Sequence, residues 1–440
     1  MQATSITTTS PMPPWYRQVR WWMLSLLFFV TVINFVDRQA LAVLGNDITD
    51  EYNLSNTAFG TIVSWFRFGM MLGEFPMGML MDRVGVRIGL AFAVLWWSVG
   101  NGMHALSTSI WHFRIFRFWL GTGECGNYSG GNKIVASWFP VRERAFAIGI
   151  FNSASMFGSF VAAFLIIPIR EHFGWRMGFL VPSVLGMVWV LVWWFVYRQP
   201  NEHPSVSQAE LAHIRSDGEA TEEAAPSNWD LLKLKQTWGL MLCRFWVGPV
   251  VEFYLYWMPK YFRDVRGLSI KDSAYFNSVT FLFGDIGSIG GGLAAAWLLS
   301  RSWKVKGTRQ ATLLFGAALC LLSFLVPLTG SIAIAIGLIS LILLGHTFLS
   351  ANMFASVSDV FPNSAVARVT GLTGVANGVS GIMFPLITGI IVDRTGYTPI
   401  FFMAALMPLL GVAIALVTLR NYEPARLFNP LERERDNEKR

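Results

Sequence analysis

The stretch SIAIAIGLISLILLGHTFLSANMFA, residues 331–355, decides the fold, because it is apolar over the length of a membrane-spanning helix. Crossing a hydrocarbon core of about 30 Å takes about 20 apolar residues in an α-helix. A barrel strand would be about 10 residues long and would alternate polar with apolar side chains. Since lipid offers the backbone no hydrogen-bond partner, an apolar run of this length indicates a helix.

Similar apolar runs recur along the 440-residue chain, of which 53% is hydrophobic and only 14% is charged. A soluble domain usually has about 25% charged residues, so this composition excludes an ordinary soluble fold. The pattern predicts an all-α integral membrane protein with about twelve transmembrane helices in two six-helix bundles. The predicted spans lie near residues 20–44, 57–80, 87–107, 111–136, 143–168, 175–197, 236–260, 274–299, 309–328, 331–355, 368–392 and 397–419.

The longest internal polar segment separates the predicted spans into two sets of six and is rich in Glu, Ser, Ala and Lys. A weak internal repeat agrees with this division, because the triplets at 138–140 and 360–362 both end in Phe-Pro and both precede an arginine. Such a repeat is typical of transporters built from two related bundles. The predicted regions are an N-terminal tail (1–19), a first bundle (20–197), a central loop (198–235), a second bundle (236–420) and a C-terminal tail (421–440).

Lys and Arg residues indicate the orientation, because they accumulate in the cytoplasmic loops of membrane proteins. They concentrate in the two tails, the central loop and the loop between spans two and three, whereas the loop after span one carries Asp47, Asp50 and Glu51. We therefore expect a multi-pass protein of the inner (plasma) membrane with both termini in the cytoplasm. The basic pI of about 9.4 then reflects loops that flank the membrane rather than a nucleic-acid surface.

The cysteine and histidine residues indicate neither a disulfide nor a metal centre. Cys125, Cys243 and Cys320 lie in or next to apolar runs and show no pairing pattern. The six histidines and three cysteines form no cluster at the spacing of metal ligands. We therefore expect no metal, no cofactor and no enzyme activity.

Four charged residues interrupt the predicted first and fourth spans. Asp37 and Arg38 lie in the first span. Arg117 and Glu124 lie two turns apart on one face of the fourth. Charges inside a membrane helix are costly and usually functional. A guanidinium matches the planar geometry of a carboxylate, and a carboxyl group in a dry cavity can load and unload a proton. We therefore predict that Arg38 and Arg117 bind an anionic solute, and that Asp37 and Glu124 carry protons.

Uncharged polar residues within the spans extend this candidate site. Their amide or hydroxyl groups can bind sugar hydroxyls, but each alone is also typical of a hydrogen bond between helices. The charged residues have a similar alternative, in which Asp37 pairs only with Arg38 and the fourth-span charges only hold helices together. The additional substrate-binding candidates are Asn152, Asn352, Asn377 and Tyr254, and further intramembrane residues whose faces stay open are Glu252, Arg244, Asp285 and His346.

The loop between spans two and three reads GMLMDRVGVR over residues 78–87. Gly78 would allow close approach of helices, and Gly85 would permit a tight turn. Asp82 can sit at a helix end and pair with an arginine, while Arg87 can cap the next span. This loop therefore predicts a gate on the cytoplasmic side, formed by Gly78, Asp82, Arg83, Gly85, Arg87 and Arg144.

The loop resembles the signature loop of the major facilitator superfamily, whose transporters are built from two repeated halves. INFVDR at residues 33–38 resembles the first-span signature of the anion:cation symporter family, and RFWLGTGE at 117–124 resembles its fourth-span signature. RQPNEHP at 198–204 resembles the central loop of the hexuronate-transporter branch. The resemblance implies the major facilitator fold and proton-coupled transport of sugar acids such as hexuronates and galactonate. By this likeness, Asp37 and Glu124 match the proton-coupling carboxylates, and Arg38 and Arg117 match the arginines that bind the substrate carboxylate.

The leading hypothesis is therefore a secondary active transporter that carries a sugar acid of the hexuronate or aldonate class with protons, by alternating access. Its expected partners are a small organic anion, protons and the lipid bilayer, and we expect a monomer. One alternative is transport or exchange of another organic anion, such as an aromatic acid, a dicarboxylate or an organic phosphate. Another alternative is a membrane sensor that binds the same ligand without moving it.

Overall fold

The computed structural model describes residues 14–216 and 227–419, and its regular structure in these ranges is helical. Most helices are of membrane length, while three short ones interrupt or follow the connecting segments. The α-helices of the described ranges are α1 (Val19–Glu51), α2 (Asn56–Met103), α3 (Ile110–Trp138), α4 (Val141–Phe173), α5 (Met177–Val196), α6 (Gln208–Ile214), α7 (Asn228–Leu232), α8 (Lys235–Tyr256), α9 (Met258–Asp264), α10 (Ile270–Ser300), α11 (Val305–Cys320), α12 (Ile332–Val360), α13 (Asn363–Thr395) and α14 (Thr398–Thr418).

Helix α2 consists of two arms that meet at Gly85. This residue has φ 79° and ψ 161° inside an otherwise helical stretch, a conformation that is essentially restricted to glycine. The arms, residues 56–84 and 86–103, correspond to predicted spans two and three. Without the short α6, α7 and α9, and with the arms counted separately, the described residues hold twelve long helical segments, one for each predicted span.

Eight helices are long and apolar enough to cross a membrane by length and composition. The arms of α2, together with α3 and α8, fall outside this group. Charges such as Arg67, Arg117 and Glu252 interrupt three of these four segments. The eight qualifying segments are Val19–Glu51, Phe146–Phe173, Met177–Val196, Ile270–Ser300, Val305–Leu325, Ile332–Val360, Arg368–Thr395 and Thr398–Thr418.

Large apolar side chains are exposed on the surfaces of these helices, as a lipid environment allows. On α5, Val188, Leu191 and Phe195 recur at helical spacing and are half exposed or more. Contiguous apolar patches of this kind are rare on soluble monomers and mark contact with another apolar phase. The exposed stripe therefore fits a helix whose outer face meets lipid tails.

By their contacts, the described residues divide into two compact units. Unit 1 comprises residues 14–40 and 69–216, and unit 2 comprises residues 41–68 and 227–419. The division falls inside α1 and inside the first arm of α2, so the segment 41–68 belongs to the second unit. The predicted bundle boundaries, which follow chain order, stay a prediction, and the predicted tails lie largely outside the described residues.

Polar contacts within unit 2 hold the segment 41–68 in place. Asp393 at the end of α13 accepts hydrogen bonds from the backbone N–H groups of Asn56 (2.9 Å) and Thr57 (2.7 Å). The carboxylate thereby caps the N-terminus of α2, where free N–H groups and the helix dipole favour negative charge. The Arg263 guanidinium pairs with the Asp50 carboxylate at 2.6 Å. These contacts explain why the segment belongs with the second unit.

Candidate functional site

The predicted charged site lies in unit 1, where α1 and α3 bring four charged residues into the protein interior. Asp37, Arg38, Arg117 and Glu124 are all buried. Gly123 lets α3 approach the second arm of α2, because a Cβ there would lie 3.0 Å from a backbone nitrogen of that arm. Gly123 therefore allows α3 and the second arm of α2 to pack closely next to Glu124.

Arg38 and Glu124 form a buried ion pair between α1 and α3. The Nε and Nη2 atoms of Arg38 both donate to Oε2 of Glu124, at 3.0 and 2.7 Å. The exposed fractions of the two side chains are 7% and 0%. The guanidinium also lies over the Phe35 ring, 4.4 Å from its centroid. The Arg38 guanidinium thus has a carboxylate partner on a different helix, Glu124 of α3.

Asp37 is instead held by an amide from the second arm of α2. Its Oδ1 accepts a hydrogen bond of 2.7 Å from Nδ2 of Asn101. The same Nδ2 donates to the carbonyl oxygen of Phe179 at 3.0 Å. Among the described residues, the buried Oδ2 of Asp37 has no hydrogen-bond partner. Asp37 is thus anchored to the second arm of α2 and, through the Asn101 amide, to α5.

Arg117 places a second guanidinium against the backbone of Arg38. Its side chain is fully buried, and Nη2 donates to the backbone carbonyl oxygen of Arg38 at 3.3 Å. The Arg38 guanidinium in turn lies 3.4 Å from Oδ1 of Asn34. The predicted pair of arginines is thus brought together by α1 and α3. Two guanidinium groups and two carboxyl groups can together exchange a bound anion and a proton.

The predicted gating loop has different partners from those that we expected. Asp82 pairs with Lys133 of α3 rather than with an arginine. Arg87 donates to the carbonyl oxygen of Trp194 at 2.6 Å, so it caps the end of α5 instead of the span that follows the loop. A Cβ added at Gly78 would meet no atom within 4 Å. Among the described residues, Gly78 thus has no close neighbour, and its role in a gate stays a prediction.

Arg144 connects the start of α4 to the end of α3. Its Nε donates to the carbonyl oxygen of Phe139 at 3.0 Å, and its Nη2 donates to that of Ala136 at 2.9 Å. These carbonyl groups lie in the last turn of α3, where a cation is favoured by the helix dipole. Arg83, by contrast, is exposed on the loop. The loop residues thus brace helix ends within unit 1.

Two of the four uncharged candidates are engaged in helix packing. Tyr254 donates its hydroxyl to Oγ of Ser323 at 2.7 Å. The Asn352 amide accepts from Nη1 of Arg309 at 2.9 Å, and donates to the carbonyl oxygen of Gly291 at 3.1 Å. Because these polar groups are already satisfied, we do not carry Tyr254 or Asn352 forward as substrate-binding residues.

The two other amides differ from each other. Asn152 on α4 is exposed. Oδ1 of Asn377 is buried without a hydrogen-bond partner in the described ranges, and it lies where a Cβ on Gly248 would be placed. Asn152 and Asn377 therefore remain candidates for contact with solute hydroxyl groups.

Unit 2 contains the intramembrane residues that the sequence alone could not assign to a helix face. Glu252 on α8 forms an ion pair with Arg67 of the first arm of α2. Arg244 lies over the Phe354 ring, 4.6 Å from its centroid, and Nε2 of His346 lies 3.0 Å from a backbone carbonyl oxygen. Asp285 is only partly buried. The Arg67–Glu252 pair is the unit 2 counterpart of Arg38–Glu124.

Two residues of these buried contacts were missed in the sequence. Arg67 is a charge within a predicted span, the same signal that identified Arg117, and that signal was enough to find it. Asn101, which holds Asp37, is an uncharged residue in a predicted span. No local pattern in the sequence distinguishes it from an ordinary helix-packing amide.

Comparisons with known proteins agree with this architecture. A family model described as Major Facilitator Superfamily matches residues 27–385 and 305–439. The chain is 29% identical over 395 residues to the probable galactarate/D-glucarate transporter GudP of Bacillus subtilis (strain 168), covering 86% of this chain and 87% of that protein. It is 28% identical over 411 residues to the hexuronate transporter of Escherichia coli (strain K12), with 92% and 95% covered.

A third relative and a solved structure extend the comparison. The chain is 27% identical over 403 residues to the D-galactonate transporter of Escherichia coli O6:H1, with 89% of this chain and 94% of that protein covered. A crystal structure of a bacterial homologue of the human lysosomal transporter Spinster, in an inward-facing and unoccupied conformation, superposes with a TM-score of 0.69. It is 19% identical and covers 92% of this chain and 96% of that chain, so it bears on the fold alone.

The membrane-length apolar helices indicate a multi-pass membrane protein, and the family model and the relatives make it a transporter and not an enzyme. The chain belongs to the Major Facilitator Superfamily. The all-α membrane fold that we predicted, and the superfamily that the loop at residues 78–87 resembles, are both confirmed. The likeness to transporters of sugar acids is confirmed as well, because the relatives above carry those names.

Proposed function

We propose that the chain is a secondary active transporter that carries a sugar acid together with protons by alternating access. The observation that carries this proposal is the buried Arg38–Glu124 ion pair, with Arg117 against the backbone of Arg38. A guanidinium held by an internal carboxylate is an anion site whose occupant can be exchanged. The names of the relatives, which refer to galactarate, D-glucarate, hexuronate and D-galactonate, support a carboxylate-bearing sugar derivative as the solute.

The four charged residues of unit 1 have separate roles in the proposed cycle. Protonation of Glu124 removes its negative charge, so that the Arg38 guanidinium is released to a carboxylate of the solute. Arg117 binds the same carboxylate, and Asp37 holds a proton on its unpartnered oxygen. When Glu124 loses its proton on the other side of the membrane, it takes Arg38 back and the solute leaves.

The remaining assignments complete this proposal. Asn152 and Asn377 are the candidates for contact with solute hydroxyl groups. The loop residues Gly78, Asp82, Arg83, Gly85, Arg87 and Arg144 form the gate on the cytoplasmic side, braced by the Asp82–Lys133 pair and by the Arg144 contacts with α3. We further propose that the protein is a monomer of the inner membrane with both termini in the cytoplasm.

Uptake into proteoliposomes tests this function directly. The purified protein is reconstituted, and uptake of galactonate, glucuronate and galactarate is measured with an acidic exterior. We expect at least one of these acids to accumulate above its equilibrium level, and a protonophore to abolish the accumulation. Uptake that is indifferent to both the pH gradient and the membrane potential would contradict proton coupling. Uptake that requires a preloaded anion inside would indicate exchange.

A further inference from the structure

A polar seam runs along the contact between α1 and α3 in unit 1. Thr31, Asn34 and Arg38 follow one another on α1 at spacings of three and four residues, which places them on one helical face. On α3, Glu124 pairs with Arg38 at one end of this face. Three residues further along α3, Asn127 exchanges hydrogen bonds with Thr31 at 3.1 and 3.3 Å. Asn34 therefore lies between two polar contacts that join the same two helices.

The Asn34 side chain is buried, and only one end of its amide is paired. Its Oδ1 accepts a hydrogen bond from Nη2 of Arg38 at 3.4 Å. Its Nδ2 is buried and has no hydrogen-bond partner among the described residues. Because the guanidinium only donates, the acceptor end of the amide has to face it. The N–H donors of Asn34 therefore lie at the other end of the amide, still next to the guanidinium that we propose binds the solute.

Three other buried amides of unit 1 differ from Asn34. Both polar atoms of the Asn127 amide are engaged, and Nδ2 of Asn101 donates to other groups of the unit. Gln39 also has a buried amide nitrogen without a partner in the described ranges. However, Gln39 directly follows Arg38, and adjacent residues of a helix do not face each other. Of these four amides, Asn34 is therefore the one with an unpartnered donor on the helix face of Arg38.

Stability alone does not require this amide. A buried donor without an acceptor has lost its hydrogen bonds to water and has gained none in return. A leucine would fill a similar volume at position 34 without that cost. The cost is removed when a bound molecule brings an acceptor to Nδ2. An unpartnered donor beside an anion site therefore indicates an acceptor that arrives with the solute.

The carbon atom next to the solute carboxylate is the part of the solute that comes closest to this donor. A carboxylate that binds Arg38 brings the substituents of that carbon with it. An oxygen atom on this carbon lies beside the carboxylate oxygens, as Asn34 lies beside the guanidinium. It can accept from Nδ2 while the carboxylate accepts from Arg38. A hydrogen atom at the same place offers no acceptor, so Asn34 can distinguish the two kinds of acid.

We propose that Asn34 is a solute-binding residue of unit 1, and that its Nδ2 donates to a hydroxyl or ether oxygen on the carbon next to the solute carboxylate. The transported acids are then those that carry an oxygen atom at this carbon. The inference rests on the proposed function, in which Arg38 binds the carboxylate. An acid without this oxygen still pairs with Arg38, but it leaves Nδ2 as unsatisfied as it is in the free protein.

Pairs of acids that differ only at this carbon test the proposal. Galactonate has a hydroxyl group next to its carboxylate, whereas 2-deoxygalactonate has a hydrogen atom there. Gluconate and 2-deoxygluconate form a second pair. Dissociation constants are measured by calorimetry on the purified full-length protein. We expect the wild-type protein to bind the hydroxylated member of each pair about tenfold more tightly, as the pairing of one buried donor provides. Equal affinities within both pairs would overturn the proposal.

The variant Asn34→Leu separates a donor to the solute from a residue that only positions Arg38. If Asn34 donates to the solute, Asn34→Leu weakens galactonate binding about tenfold and 2-deoxygalactonate binding by less than about threefold, so the selectivity is lost. If Asn34 only positions Arg38, both acids bind more weakly by the same factor, the selectivity remains, and the proposal is wrong. Asn34→Ala should lose the selectivity as well, so the result does not depend on one substitution.

Asn127→Leu is the matched control, because it removes another amide of the polar seam. Its partner Thr31 keeps a hydrogen bond of 2.8 Å to the Leu27 carbonyl oxygen. The selectivity of Asn127→Leu should therefore remain that of the wild type. A loss as large as that in Asn34→Leu would assign the selectivity to packing of the seam and would contradict the proposal.

The outcomes also distinguish this inference from the proposed function. If the wild-type protein accumulates galactonate with protons but binds 2-deoxygalactonate just as tightly, the inference about Asn34 fails and the proposed function stands. If the wild-type protein neither binds nor transports any of the four acids, both fail.

Discussion

Each of the two units contains an arginine–glutamate pair between helices, buried in unit 1 and partly buried in unit 2, and the groups around the pairs differ. In unit 1, the Arg117 guanidinium donates to the backbone carbonyl oxygen of Arg38, and the Asp37 carboxyl group precedes Arg38 in sequence. In unit 2, the Arg67–Glu252 pair fits against the backbone at Gly381. Two guanidinium groups and two carboxyl groups allow an anion and a proton to exchange together.

The different surroundings of the two arginine–glutamate pairs indicate different roles, although the pairs themselves are chemically alike. We assign proton coupling and recognition of the solute carboxylate to unit 1, and a structural ion pair to unit 2. Charges buried at intramembrane depth carry a large desolvation cost in both cases. Substitutions that remove one partner, both partners or only the charge should therefore affect the two pairs in distinguishable ways.

The largest expected effect is on stability, and it should be the same for both pairs. Arg67→Met leaves the Glu252 carboxylate buried without its ion-pair partner, and we expect a loss of about 3–5 kcal/mol. The double variant Arg67→Met, Glu252→Leu should recover most of this loss, because no buried charge is left uncompensated. Arg38→Met, with and without Glu124→Leu, should follow the same pattern.

Reversible unfolding of the detergent-solubilised variants, followed by tryptophan fluorescence, measures these differences. Arg263→Met serves as the control, because the Arg263–Asp50 pair is more exposed and exposed pairs contribute about 1 kcal/mol or less. A double variant that is as unstable as the corresponding single variant would contradict this explanation. The loss of stability could then not be due to an uncompensated buried charge alone.

The next effect is on transport, and here the two pairs should differ. Arg38→Gln removes two charge-assisted hydrogen bonds to a bound carboxylate, so uptake of every sugar acid should fall by about 100-fold or more. Arg67→Gln should leave uptake, per amount of folded protein, close to that of the wild type. Initial rates in proteoliposomes, normalised to the amount of reconstituted protein, provide the measurement. A loss in Arg67→Gln as large as that in Arg38→Gln would remove the distinction between the units.

Substitution of the two glutamates, Glu124 and Glu252, should have different effects on proton coupling. A gradient of one pH unit corresponds to about 1.36 kcal/mol and supports about tenfold accumulation for one coupled proton. Glu124→Gln should lose this accumulation while still exchanging labelled for unlabelled solute. Glu252→Gln should keep it, because unit 2 does not carry the proton. Accumulation is read at steady state with and without a protonophore, and Glu202→Gln in the exposed central loop is the control.

The sequence could predict those features of the fold and of unit 1 that depend on residues close together in the chain. The length of apolar runs located the helical segments, and the positive φ of Gly85 is a local property of a loop residue. Asp37, Arg38, Arg117 and Glu124 stood out because charges are rare in such runs. Their pairing did not follow, because α1 and α3 are far apart in sequence and neither periodicity nor spacing specifies which side chains meet.

The same reasoning explains what was missed or wrong. Arg67 carried the same signal as Arg117, but its partner Glu252 lies in the other half of the chain, so neither residue indicated a pair by itself. The sequence suggested an arginine for Asp82, and the structure provides Lys133, because both cations satisfy a carboxylate equally in a loop pattern. Asn352 looked like a ligand for hydroxyl groups until its amide was seen to bind Arg309 and the Gly291 carbonyl.

The smallest expected effect concerns the Asp82–Lys133 pair, which sharpens the contrast between buried and exposed pairs. The exposed fractions of its side chains are 69% and 37%, so water and salt screen its charges. Asp82→Asn should therefore change the free energy of unfolding by less than about 1 kcal/mol, well below the loss expected for Arg67→Met. If the loop is a gate, Asp82→Asn should change the maximal rate of transport and leave the affinity for the solute unchanged. A KM that changes as much as the maximal rate would place Asp82 in solute binding and not in the gate.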